Sequence, residues 1–224
     1  MKLASLFVLS AITAFSCSKL DVVGKDSVRA FNELLQNAQN LVSEDAANGG
    51  WSISAPDSGA RFIWGSNTSQ NPPYNVMIKF NSAPFIAAGL NPDLLPENFT
   101  IYNDTIITGI SLGQGSSAQL QNRTDVTPLS LYEQIVSLKR SAIGYHGQMD
   151  HYGIDLGNGN MFEWAKNLKT NDKDIVFILN PDPFIAAGLD PARIDGWVFS
   201  KVTVDDANGK PVQVDKILKP FNLN

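Results

Sequence analysis

Both histidines of this 224-residue chain fall in one six-residue stretch, His146-Gly147-Gln148-Met149-Asp150-His151. Imidazole beside a carboxylate suits zinc, and imidazole beside a thioether suits copper. His146, Met149, Asp150 and His151 are therefore the candidate metal ligands. A spacing of five does not set both imidazoles on one helix face. Met161 and Glu163 are the nearest further donors, across an expected hairpin. The plainer reading is a solvated loop between a helix and a strand. It needs no metal, and the sequence assigns no metal and no cofactor.

Other chemistry is thinly represented. There is no Gly-x-Ser-x-Gly elbow for a serine hydrolase. Asp205-Asp206 is a carboxylate pair, but in a hairpin such a pair belongs to a solvated turn. No catalytic residues are assigned; an envelope hydrolase without a recognisable motif stays as an alternative, because acid–base sites assemble from distant residues. The net charge is −5, which excludes a nucleic-acid partner that would need a basic face. Hydrophobic residues make up 43% of the chain, enough for a packed core.

The lone cysteine, Cys17, follows a positively charged start and a short apolar run over residues 1–16. That run has the length of a signal-peptide core and is too short to span a bilayer. Ala14-Phe15-Ser16-Cys17 resembles the lipobox of bacterial lipoproteins, with Ala in place of the usual Leu three residues before the cysteine. The resemblance implies cleavage before Cys17, lipidation of its thiol and anchoring at the cell envelope. A secretory signal cut near Ala14 or Ser16, leaving a secreted soluble protein, is the alternative.

The elements that must position any site come from a duplication. Pro84–Leu90 and Pro183–Leu189 both read Pro-Phe-Ile-Ala-Ala-Gly-Leu, 99 positions apart. Proline suits a first helical turn, and glycine followed by leucine suits its end. Asn91-Pro92 and Asp190-Pro191 then restart a turn. Similar residues pair outward from the match at offsets of 99 to 102, among them Phe62 with Phe162 and Trp64 with Trp164. The chain accordingly divides into a signal peptide (1–16), a lipid-anchored tether (17–26), a first repeat (27–110), a linker (111–127) and a second repeat (128–224).

Each repeat reads helix, hairpin, strand, short helix, strand. The helices are expected at about 27–43 and 129–143. The first repeat's strands are expected near 51–55, 60–65, 75–80 and 99–109. The second repeat's are expected near 152–156, 160–165 and 174–179, with a last hairpin over 196–204 and 212–218 turning at Asn208-Gly209. This is an α+β fold, a tandem duplication of a helix plus antiparallel-sheet domain. The layout is similar to that of the tandem-domain beta-lactamase inhibitor proteins and the small outer-membrane assembly lipoproteins, without those families' disulfides. Trp197, in the last hairpin, is a possible contact anchor if it stands on an open sheet face. The expected function is a non-catalytic binding or protein-interaction module of the cell envelope. It would meet the membrane through the lipid on Cys17 and bind an envelope protein or a small ligand. A periplasmic copper- or zinc-binding protein using residues 146–151 is the alternative.

Overall fold

The computed structural model describes residues 21–65, 74–112, 126–169, 173–205 and 208–223. Helix α1 (Val22–Asn37) starts five residues earlier than its apolar spacing suggests. Asp21 caps it, with Oδ1 accepting from the Gly24 N–H at 2.8 Å. The residues expected as the end of a tether are thus already helical. Ser27, at the expected start of the helix, is buried within it and donates to the Gly24 carbonyl.

Each repeat builds six antiparallel strands. In the first they are β1 (Val42–Asp45), β2 (Gly50–Ser54), β3 (Ala60–Gly65), β4 (Val76–Asn81), β5 (Thr100–Tyr102) and β6 (Thr105–Ile110), in spatial order β1-β2-β3-β4-β6-β5. The short helix α2 (Ala83–Ala87) lies between β4 and β5. The second repeat opens with α3 (Pro128–Leu138) and continues through β7 (Ile143–His146), β8 (His151–Asp155), β9 (Met161–Ala165) and β10 (Ile175–Leu179). Helix α4 (Asp182–Ala186), β11 (Val198–Asp205) and β12 (Pro211–Phe221) complete it. Its order, β7-β8-β9-β10-β12-β11, matches that of the first sheet strand for strand.

Two departures from the sequence reading recur in both halves or one. The expected helices overrun into what are strands β1 and β7, because a few apolar residues satisfy a helical and a strand period alike. The outer strands β2 and β8 gain an antiparallel neighbour there. The expected strand over 99–109 is a tight hairpin instead. Asn103 and Asp104 both take positive φ, 46° and 59°, which a two-residue hairpin turn demands.

The two sheets face each other across one hydrophobic core that draws on both repeats. Helix α1 packs against β7, β8 and β9 of the other half, and α3 against β2 and β3. Each helix therefore covers its sister's sheet. The helices meet where Phe31 stacks on Tyr132, ring centroids 4.0 Å apart. Farther along, the sheets touch directly through Phe62 and Phe162, stacked at 3.9 Å with planes 1° apart. The repeated heptapeptides meet at the far end. The Asn91 N–H donates to the Ala187 carbonyl at 2.8 Å, and the Asp190 N–H to Ala88 at 2.9 Å. These reciprocal contacts define an internal two-fold axis. Trp197 belongs to this core: it is nine-tenths buried between Phe80 and Phe85, with the Lys219 ammonium over its ring. It presents no contact surface. Among the described residues no helix is long and apolar enough to cross a membrane.

Candidate functional site

The two histidines are cross-strand partners, His146 ending β7 and His151 opening β8, joined by the turn at 147–150. A spacing of five that fits no helix face fits a hairpin with a four-residue turn. Glu163 stands on β9, directly opposite Gly153 of β8. A Cβ at residue 153 would lie 2.9 Å from Glu163 Cγ. The missing side chain lets Glu163 lean across β8, so that its carboxylate reaches both imidazoles. Oε1 is 3.3 Å from His146 Nδ1, and Oε2 is 3.4 Å from His151 Nδ1. The second contact has an ion pair's distance without a hydrogen bond's direction, leaving His151 Nδ1 and Glu163 Oε2 buried without a hydrogen-bond partner.

The other ring nitrogens are committed to main-chain carbonyls, His146 Nε2 to Thr203 at 2.8 Å and His151 Nε2 to Lys173 at 2.9 Å. A carbonyl only accepts, so each Nε2 carries a proton. For His146 the consequence is specific. Only its imidazolium can donate to Glu163 and to Thr203 at once. The Glu163 carboxylate raises its pKa, against burial, with the Thr203 carbonyl and the Asp205 charge adding to the rise. Burial by itself would raise the Glu163 carboxyl, which has no exposed surface. The two imidazoles facing it outweigh burial and hold it below the ordinary carboxylate range.

A cavity of about 250 Å³ lies over His146 and Glu163 on the outer face of the second sheet. Its floor is Gly144, Gly153, Met161 and Ile178, and its roof is Val202 and Val204. The roof exists because the β11–β12 hairpin is longer than the sheet it joins. β12 pairs with β10 only over Ile217–Phe221, while β11 and β12 pair with each other on to Asp205 and Pro211. The free arm folds back over the sheet until the Thr203 carbonyl meets His146 on β7, the opposite edge strand. Asp205 and the stem of Lys216 complete the rim.

The first repeat has none of this. By strand register, Asp45, Gly50 and Ile63 stand where the second has His146, His151 and Glu163. Ile63 is buried there with Met77 and Ile107, and β5 and β6 pair over only three residues.

The sequence-derived ligand set is thus split. His146 and His151 come together, and Glu163 joins them. Asp150 turns away and accepts from the Tyr145 hydroxyl at 2.5 Å, and Met149 does not line the cavity. The carboxylate offers one oxygen to each imidazole, and among the described residues no group of three His, Cys, Asp or Glu is arranged to hold a metal ion. Asp205 is at the cavity rim, whereas Asp206 and Cys17 lie outside the described residues. Sequence reading missed the glycine floor and the valine roof; the one available signal was a last hairpin too long for the short strands it had to match. No family model, curated protein or solved structure matches the chain.

Proposed function

We propose that the protein is a non-catalytic binding module of the cell envelope, anchored through Cys17, whose second repeat carries a small-molecule site and whose first repeat is its structural counterpart. The observation that carries this reading is the cavity under the β11–β12 arm, which among the described residues has no counterpart at the matching place in the first repeat. A fold shared by both halves explains what they have in common; it does not explain a hollow on the outer sheet face where its sister has the buried Ile63. At about 250 Å³ the cavity is smaller than the ~300–1,000 Å³ that takes drug-sized ligands. It suits a compact molecule. Binding is favoured over catalysis by the commitment of His146, the one imidazole that lines the cavity among the described residues. A general base needs a free lone pair within reach of substrate, and both nitrogens of His146 are engaged in donation. Among the described residues no serine, threonine or cysteine side chain lines the cavity.

Gly144 gives the test. A Cβ there would meet nothing within 4 Å, so Gly144→Leu fills the cavity without displacing the fold. Compounds screened by thermal shift should raise the melting temperature of the wild type and leave Gly144→Leu unmoved, since a ligand stabilises only the state that binds it. Equal shifts in both proteins would contradict the reading.

A further inference from the structure

The charges around the cavity point to the kind of ligand it takes, an assignment that rests on the cavity being a binding site. His146 and Glu163 satisfy each other. Lys216 contributes its stem, while its ammonium is drawn away to the Gly159 carbonyl at 3.0 Å. That ammonium also feels Asp182 and Asp155 on the far side, and more weakly Glu163 on the cavity side. Among the described residues, one charged side chain on the rim has only a longer-range partner: the Asp205 charge acts on the His146 imidazole. Asp205 is exposed, and its carboxylate has no hydrogen bond or ion pair among the described residues. The walls between Asp205 and the His146–Glu163 pair are Met161, Ile178, Val202 and Val204, all apolar.

We infer that the second repeat binds a small amine: a compact apolar body seated between the glycine floor and the valine roof, with its ammonium at Asp205. An anionic ligand would place its charge beside an unpaired carboxylate in a half-enclosed site, where the repulsion is stronger than in open water. A neutral apolar ligand would fill the walls and gain nothing from Asp205.

The inference is tested by titration calorimetry on the mature, full-length protein at pH 7 and low salt, with 3-phenylpropylamine and 3-phenylpropanoate as probes of matched shape and opposite charge. The amine is expected to bind at least about tenfold more tightly than the carboxylate. Asp205→Asn, a change to an exposed side chain with no hydrogen bond or ion pair among the described residues, should weaken the amine about tenfold and narrow the gap. Gly144→Leu should abolish binding of both. Absence of amine binding, equal binding of the two probes, or an amine affinity unchanged in Asp205→Asn overturns the amine assignment. Preference for the carboxylate, lost in Gly144→Leu, overturns the ligand class and leaves the cavity as the site. Amine binding that survives Gly144→Leu in full removes the cavity itself.

Discussion

Glu163 is a carboxylate without access to water, and its charge is held by the imidazole of His146, which is itself held by the roof of the cavity. Removing the imidazole strands a buried charge, so His146→Ala should cost about 3–5 kcal/mol in chemical denaturation near pH 6. The cost should depend on pH in a definite way. Glu163 is held below its ordinary value of 4.5, so its contribution is present above that value and fades as pH falls through the lower native one. His146 is held above 6.5, so its contribution is complete below 6.5 and fades as pH rises through the higher native value. The stability difference between wild type and His146→Ala should therefore be largest at about pH 5–6.5 and shrink on both sides. A difference that is flat from pH 4 to 9 would contradict the ion pair. The other nitrogen of the same ring, Nε2, donates to the Thr203 carbonyl and ties the roof to β7, so His146→Ala should also loosen the arm, read as faster amide exchange over residues 200–205.

At the scale of elements, the repeated heptapeptide is a mutual contact between the halves. Gly89 and Gly188 have φ of 103° and 94°, and a Cβ on either would lie 2.9 or 3.0 Å from the other's carbonyl oxygen. Gly89→Ala and Gly188→Ala should each cost at least about 1–2 kcal/mol from the left-handed backbone alone, with the lost approach between the halves added to it. Melting curves would show it; a neutral substitution would mean that the contact yields easily. This motif was readable because proline, glycine and leucine each act locally. So were β2, β3, β4 and their partners in the second repeat, where alternating apolar residues and turn glycines agree. Strands β1 and β7 were not readable. Val42-Ser43-Glu44-Asp45 becomes a strand because β2 offers it an edge, and that is a long-range reason. Glu163 was visible only as a residue across a hairpin. Its pairing with His146 depends on Gly153 carrying no side chain, on a β7 expected as the end of a helix and the start of a loop, and on an arm returning from the far end of the chain.

At the scale of the molecule, the exchange of helices matters most. α1 rests on the second sheet and α3 on the first, and Phe62 and Phe162 close the middle. A half without its sister would expose the face that this core covers. The protein should unfold in one calorimetric transition, with van't Hoff and calorimetric enthalpies in agreement; two separable transitions would contradict a shared core. Symmetry of this kind leaves one repeat free to change its outer face while the other keeps the core in register. The second repeat differs in its outer face by a longer last hairpin with the Glu163 carboxylate and the His146 imidazole beneath it. The most direct test is a native mass spectrum of the protein purified gently from its own membranes, recorded beside that of Gly144→Leu. The account predicts an acylated wild-type chain carrying a small-molecule adduct, and an equally acylated Gly144→Leu chain without it. A wild type that carries no adduct, or an adduct retained in full by Gly144→Leu, would contradict the claim that this cavity is the protein's binding site.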